Sequence, residues 1–256
     1  MLLLIDAGNT RIKWGIPHHQ QLPAPAKPAW LTITSVAHDD TDQLVAAWQQ
    51  YPVSKVLISN VAGVEVKARL TALVTRAFPS VVVEWFASQA QCAGLQNHYL
   101  NPQQLGCDRF ASAIAAAYLY PQQHVIVATC GTATTVDAVT AQAEFVGGMI
   151  LPGLKLMAES LARNTAQLPQ VAESIQVDQP FANNTDQAIV SGCIHAQAGA
   201  ITLAYQSLQK KQAESVICLI SGGAAPYLLP HLPFQCDHIA NLVLTGLFVV
   251  AQSVSS

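Results

Sequence analysis

Charge is scarce in this chain. Of its 256 residues only 11% are Asp, Glu, Lys or Arg, and 12 basic against 15 acidic residues leave a formal charge of −3. A general nucleic-acid binder shows a basic surplus gathered into patches, so that class is excluded. Disorder is excluded as well, because it combines low hydrophobicity with high net charge. Here 51% of residues are hydrophobic and the mean hydropathy is +0.31. Long hydrophobic runs are nevertheless absent. A spanning helix takes roughly 18 or more consecutive apolar residues. The longest candidates are 110–120, which is short and Ala-rich, and 239–251, which carries Asn241 and Thr245. The apolar run 2–5 stops at Asp6 with no basic segment before it, which is not the pattern of a signal peptide. The expectation is a soluble, cytoplasmic protein with no membrane and no nucleic-acid partner. Its apolar surplus belongs in a core or a subunit interface, and so little charge leaves little cover for an isolated monomer. The length suits one large domain or two modest ones.

Other absences narrow the chemistry. The six cysteines are Cys92, Cys107, Cys130, Cys193, Cys218 and Cys236. No two stand in C-x-x-C spacing, and each has apolar or small neighbours. Neither a zinc site nor a disulfide scaffold is expected, and the thiols read as small buried hydrophobes. The eight histidines show no metal-ligand spacing on a common helix face. No G-x-x-x-x-G-K-S/T stretch occurs, since Leu154 stands where the lysine is needed after Gly148 and Gly153. G-x-G-x-x-G, G-x-S-x-G and H-E-x-x-H are missing too, so P-loop, Rossmann, esterase-type and zincin readings have no support.

What is present is an alternation of strands and helices. Residues 2–5 suit a buried strand, and Asp6-Ala7-Gly8-Asn9-Thr10 is turn chemistry. Ile12, Trp14 and Ile16 then alternate with Arg11, Lys13 and Gly15 as a returning strand. Further strands are expected at 31–36, 56–59, 81–86, 125–129, 135–139, 145–150 and 216–220. Helices are expected at 42–50, 64–77, from about 108, from 154, at 186–211 and at 242–254. Residues 87–107 read as a connector and 165–185 as irregular. The class is α/β.

Two segments resemble each other. Leu4-Ile5-Asp6-Ala7-Gly8-Asn9-Thr10 and Val127-Ala128-Thr129-Cys130-Gly131-Thr132-Ala133 each run from a buried strand through a glycine turn into a returning strand. Their glycines are 131 − 8 = 123 residues apart, close to half of 256. Duplication accounts for that spacing. The chain then divides near 115–122 into halves 1–117 and 118–256, of similar topology and facing each other across a cleft.

Such turns expose backbone N–H groups, and glycine lets an anion approach. Hydroxyls on Thr10, Thr132, Thr134 and Thr135 add donors, so two turns could hold a polyphosphate. Asp6 would suit Mg²⁺ through water, and Lys13 would face the phosphates. Ordinary hairpins with Asp6 as a turn former remain the plain alternative. Gly106-Cys107-Asp108-Arg109 allows two readings also. Asp108 is either a helix cap favoured by the dipole or a base orienting a substrate hydroxyl, with Arg109 holding an anion.

Taken in order, further stretches join these motifs. They are Tyr99, Gly131-Thr132-Ala133-Thr134-Thr135-Val136-Asp137, Gly147-Gly148-Met149-Ile150-Leu151-Pro152-Gly153, Thr165-Ala166-Gln167-Leu168-Pro169, Thr185 and Ser221-Gly222-Gly223-Ala224. With Asp6-Ala7-Gly8-Asn9-Thr10-Arg11-Ile12-Lys13 and Gly106-Cys107-Asp108-Arg109, this set resembles the type III pantothenate kinases. These are bacterial enzymes of coenzyme A synthesis within the acetate and sugar kinase, heat-shock ATPase and actin superfamily. The resemblance implies two ribonuclease-H-like halves with mixed sheets flanked by helices. It implies ATP-dependent phosphorylation of pantothenate, and a homodimer. By the same resemblance residues 6–13, Gly131 and Thr132 contact ATP, and Asp108 accepts the proton of the pantothenate hydroxyl. Tyr99 and residues 106–109 contact pantothenate, Thr185 reaches the substrate across the dimer, and 221–223 lie near adenine. Mg²⁺ and a monovalent cation, K⁺ or NH₄⁺, are the implied ions. Members often have Asp where this chain has Thr129, whose hydroxyl can ligate the monovalent cation but brings no charge. The alternatives are another small-molecule kinase or a phosphatase of the superfamily, and a non-catalytic regulatory protein that kept the fold.

Overall fold

The computed structural model describes residues 1–18, 25, 27–164, 177, 179–212 and 215–253. The motif at 165–169 lies outside the described residues. In chain order come β1 (Leu2–Ala7), β2 (Arg11–Pro17), β3 (Trp30–Ala37), a 3-10 segment (His38–Gln43), α1 (Leu44–Trp48), β4 (Lys55–Asn60), α2 (Val64–Ala77) and β5 (Val83–Phe86). Next are β6 (Gln91–Cys92), β7 (Leu95–Asn97), the 3-10 turn Pro102–Gln104 and α3 (Cys107–Leu119). Then follow β8 (His124–Cys130), β9 (Ala133–Val139), β10 (Glu144–Pro152), α4 (Leu154–Asn164) and α5 (Thr185–Gln212). The chain ends with β11 (Val216–Ser221), α6 (Ala225–Leu228), the 3-10 turn Leu229–His231, β12 (Asp237–His238) and α7 (Leu242–Ser253).

The chain forms two compact units. The first is Met1–Gln122 with Gln142–Phe145 and Asn241–Ser256, and the second is Gln123–Ala141 with Val146–Ala240. Helix α7, which a division at 117/118 assigns to the C-terminal half, therefore belongs to the first unit and packs on β1, β4 and α3.

In the first unit the strand order is β3-β2-β1-β4-β5. β1 lies antiparallel to β2 and parallel to β4. Residues 2–5 are buried throughout, as a central strand with helices on both faces requires. One face carries Leu3, Ile5 and Ala7 with Ile12, Trp14, Val56 and Ile58. It meets Leu44 and Trp48 of α1 and Val66, Leu70 and Val74 of α2. Strand alternation turns Leu2, Leu4 and Asp6 to the opposite face, where α3 and α7 pack.

The second sheet repeats this order over β10-β9-β8-β11-β12 and continues past β10 to β7 and β6. β8 is antiparallel to β9 and parallel to β11, as β1 is to β2 and β4. The duplication read from two glycine turns is thus a duplication of sheet topology. Its core joins Ile126, Ala128 and Cys130 of β8 to Leu154 of α4 and Ile189, Cys193, Ile194 and Ile201 of α5.

Three local expectations need correction. The helix expected at 42–50 is helical only over Leu44–Trp48, after a 3-10 segment broken at Asp40 (φ −103, ψ 28). Asp and Thr side chains there compete with the backbone for its hydrogen bonds. The connector 87–107 holds β7, which pairs in parallel with Glu144 and Phe145 and is too short to show a period. α5 is, by length and composition, one described helix capable of crossing a membrane. No such helix is expected from the sequence, but its apolar stripe lies in the core of the second unit.

α3 and α7 approach closely at Gly246. A Cβ placed there would collide with the Ala111 carbonyl oxygen. Gly246→Ala is expected to lower stability by at least ~2 kcal/mol through overpacking, read as a fall in Tm with catalytic constants per folded molecule unchanged. An unaltered Tm would contradict this packing.

Candidate active site

The first glycine turn joins β1 to β2, and register places three polar side chains in one row across the sheet. Lys13 stands opposite Asp6 on β2, and Ser59 stands opposite Asp6 on β4. The Ser59 hydroxyl lies 3.3 Å from the Cys107 sulfur at the start of α3. Asp6 Oδ1 is sealed from solvent and has no hydrogen-bond partner. Burial, and next the charge of Asp108, push the Asp6 carboxyl up to about 7, against the pull of Lys13. Burial likewise lowers Lys13, opposed by Asp6.

The turn differs from a simple row of presented donors. The Gly8 N–H is used internally, donating to the Arg11 carbonyl at 3.1 Å. Ala7 and Ile12 are core residues, so only their backbone can face a ligand. The Arg11 guanidinium is tied to Ser35, to its hydroxyl at 2.8 Å and its carbonyl at 2.9 Å. Asn9 and Thr10 are exposed at the tip.

A brace behind this turn is not visible in the sequence. His38 Nε2 lies 2.8 Å from the Gly8 carbonyl oxygen. Arg69 donates to the His38 carbonyl at 2.9 Å, and its other terminal nitrogen lies 3.4 Å from His38 Nδ1. Guanidinium has only donors, so Nδ1 accepts and Nε2 carries the proton given to Gly8. His38 and Arg69 lie 31 residues apart, and neither has a motif.

Asp108 and Arg109 open α3 together. Asp108 Oδ1 accepts the Arg109 N–H at 2.8 Å, so the capping reading holds in part. Burial raises the Asp108 carboxyl, opposed by that N–H and by the Arg109 charge. The Arg109 side chain donates to the Tyr99 hydroxyl at 2.9 Å and lies over the rings of Tyr99 and Phe145 at 5.7 and 5.8 Å. In the first unit, then, the structure brings together Asp6, Lys13, Cys107 and Asp108, and sets Tyr99 on Arg109.

The second turn, between β8 and β9, is held by close packing instead of charge. The Gly131 N–H donates to Ala133 at 3.0 Å, and Gly153 N–H donates to the Thr132 carbonyl at 2.9 Å. Gly222, at φ +94, sits where a Cβ would collide with the Cys130 carbonyl oxygen. Gln197, fully buried on α5, accepts from the Thr134 hydroxyl at 2.8 Å and donates to the Pro152 carbonyl at 2.9 Å. Gly131 and Thr132 are left exposed at the tip. Thr129 shares a register row with Ser221 and Thr135, three hydroxyl-bearing residues without a carboxylate. Thr185 begins α5 and is exposed, with Asn184 Oδ1 accepting the Gln187 N–H at 3.0 Å.

Solved structures with this fold include a Campylobacter jejuni protein assigned to the Baf family of transcriptional activators. It has a TM-score of 0.60 and 18% identity, over 99% of this chain and 98% of that one. A Sinorhizobium meliloti protein assigned as a 2-dehydro-3-deoxygalactonokinase has a TM-score of 0.57 and 14% identity, covering 99% of both chains. These likenesses show the fold, two α/β units built on one repeated sheet topology. The family model described as type III pantothenate kinase matches residues 2–207. A type III pantothenate kinase of Herminiimonas arsenicoxydans is 52% identical over 255 residues, 98% of this chain and 97% of that one. The chain belongs to the type III pantothenate kinase family and is a phosphotransferase.

The raised Asp6 carboxyl makes stability depend on pH. Its contribution is fully present below the ordinary value of 3.8 and is lost as pH rises through about 7. Asp6→Asn removes that loss. In the absence of nucleotide the variant is expected to melt above wild type at pH 8, by a few kcal/mol, with the gap shrinking toward pH 5. A gap independent of pH would contradict the ionisation of Asp6 as its cause.

Proposed function

We infer that Asp6, Lys13, Asp108 and the two glycine turns carry the ATP-dependent phosphorylation of pantothenate in coenzyme A biosynthesis, the activity of this family. The observation that carries the assignment is the pair of half-buried carboxylates, Asp6 at the carboxyl end of β1 and Asp108 in the first turn of α3, each raised by loss of solvent. A carboxylate held above its ordinary range is suited to accept a proton or hydrogen bond from an attacking hydroxyl. Asp108 takes that part, orienting the primary hydroxyl of pantothenate. Phosphoryl transfer asks little more of a base than this, and most of the rate comes from positioning and electrostatics.

Residues 6–13 in the first unit, and Gly131 with Thr132 in the second, each serve as phosphate contacts for ATP. Backbone groups act at Ala7 and Ile12, and the charge acts at Lys13. Tyr99, Gly106, Cys107 and Arg109 take the acceptor. Tyr99 and the Phe145 ring fix the guanidinium of Arg109, so its charge faces the acceptor without being free to wander.

Asp6 fits Mg²⁺, held through water. Its sealed oxygen has no donor, which is a costly state for a carboxylate and one a cation relieves. When bound, the ion neutralises phosphate charge. K⁺ or NH₄⁺ would sit at the row of Thr129, Ser221 and Thr135, whose neutral oxygens suit a monovalent ion. A cytoplasmic homodimer completes the reading. Exposed Leu156 and Leu161 on α4 and Leu203 on α5 support a subunit contact there, with Thr185 at the head of α5 reaching a second copy.

A pantothenate-dependent ADP-release assay with Mg²⁺ and a K⁺ or NH₄⁺ series tests the assignment. No turnover under any salt would overturn it. Asp108→Asn should keep ATP affinity and lose at least ~100-fold in kcat; near-normal kcat would remove Asp108 from the mechanism. His38→Ala should raise KM for ATP several-fold by releasing Gly8, while His38→Gln, which keeps a donor, should recover most of it. Equal KM in wild type and His38→Ala would show that the brace does not reach the phosphates.

A further inference from the structure

We propose that Cys236 and Cys218 form a hydroperoxide-reactive dithiol that closes a disulfide and weakens ATP binding. The placement comes from the sheet. β12 runs parallel to β11 with Leu219 opposite Asp237 and Ile220 opposite His238. One residue back, the same register sets Cys218 opposite Cys236. Adjacent strands lie about 4.8 Å apart, inside the ~4.4–6.8 Å Cα range that a disulfide spans. The two thiols are neighbours across that register, and Cys218 acts on Cys236 as a hydrogen-bonding group.

The two differ in access and acidity. Cys218 is buried in the core, whereas Cys236 is half-buried. The hydrogen bond from Cys218 holds Cys236 below the usual thiol range and pushes Cys218 above it. A reachable, more acidic thiol beside a buried second thiol is the arrangement of peroxide-sensing cysteines. Cys130 also lies near Cys236, but burial pushes it up to about 12.

The chemistry balances with a hydroperoxide as oxidant. The Cys236 thiolate attacks the peroxide, the O–O bond breaks, and Cys236 becomes a sulfenic acid while the released hydroxide takes up the thiol proton as water. The Cys218 sulfur then attacks the Cys236 sulfur. The S–O bond breaks, the S–S bond forms, and the second hydroxide leaves with the Cys218 proton as water. Two electrons pass from the dithiol to the peroxide.

The bond would close a loop between positions 236 − 218 = 18 apart. That loop contains Ser221-Gly222-Gly223-Ala224, whose backbone lies against Cys130, with the Ala224 N–H donating to the Cys130 carbonyl at 3.0 Å. Cys130 leads directly into Gly131 and Thr132. An S–S bond of about 2.05 Å is shorter than any non-bonded sulfur contact. β11 is laddered to β8 from Val216 to Ser221, while β12 has only two paired residues. The adjustment therefore falls on the loop, and loosens the turn it carries. The effect on ATP rests on the functional reading above; the thiol chemistry does not.

Hydrogen peroxide titration of the full-length reduced protein tests both halves. Wild type is expected to lose 2 Da and two titratable thiols, peptide mapping to join Cys218 to Cys236, and dithiothreitol to reverse the change. Cys218→Ser should stop at a Cys236 sulfenic acid trapped by dimedone, and Cys236→Ser should form no bond. The oxidised protein should bind ATP at least threefold more weakly, with recovery on reduction. Linkage through Cys130, no mass loss at millimolar peroxide, or a full disulfide with unchanged ATP affinity would each overturn the proposal. Reduced protein that fails to bind ATP would overturn the functional reading, while the mass readout still decides the dithiol.

Discussion

A carboxylate oxygen buried without a partner is the constraint on which the first unit turns. Asp6 Oδ1 has no hydrogen-bond partner among the described residues, and Asp108 adds a second negative group to its surroundings. Burial and the Asp108 charge both oppose ionisation, and Lys13 pulls the other way. Such a site is explained by what it binds, not by what it contributes to stability. Its position is nonetheless rigid. β1 is buried on both faces, so one slip of register would exchange Asp6 for Ile5 or Ala7 and place a carboxylate among Trp14, Trp48 and Leu70. The hydrophobic pattern of residues 2–5 thereby fixes where the charge stands.

The repeated topology clarifies why the two turns act differently. In the paired segments Asp6 corresponds to Thr129, and Gly8 to Gly131. The two sheets share one strand order, but only the first turn ends its strand on an acid. The second turn instead relies on packing: Gly153 and Gly222 let backbone approach it, and Gln197 ties Thr134 to Pro152. A row of hydroxyls at Thr129, Thr135 and Ser221 carries no formal charge.

Much of this was legible in the sequence, and what was not has a physical cause. Long periodic elements such as Val64–Ala77 declare themselves, because burial on one face repeats often enough to be read. The glycine turns and the acids at Asp6 and Asp108 were legible because few other residue types satisfy a tight turn or a helix start. Ser59 was not, since a serine closing an apolar strand has meaning only once β4 lies beside β1. His38 was hidden by distance, as its partners Gly8 and Arg69 lie 30 and 31 residues away. Gln197 belongs to no motif, and its meaning comes from a fully buried side chain used at both ends. Strands of two or three residues, β6, β7 and β12, are too short to carry a period at all. The membership of α7 in the first unit depends on Gly246 meeting Ala111, a contact between segments more than a hundred residues apart.

The scarcity of charge acquires a consequence at this point. With a net charge of −3, the surface offers no basic field to draw in a polyanion. Attraction must come from groups in direct reach of the phosphates, and the first unit shows how few there are. Arg11 is committed to Ser35, Arg69 to His38, and Arg109 to Tyr99 and Phe145. Lys13 is the cation in the Asp6 row, and burial works against its charge. Lys13 and Asp6 therefore depend on one another: each is more readily charged when the other is, and each suffers from burial alone. A phosphate and a divalent cation arriving together would satisfy both members at once, the anion at Lys13 and the cation at Asp6. Either arriving alone would satisfy one and leave its neighbour worse placed. The register of β1 against β2 thus sets a half-buried pair in which each charge depends on the other.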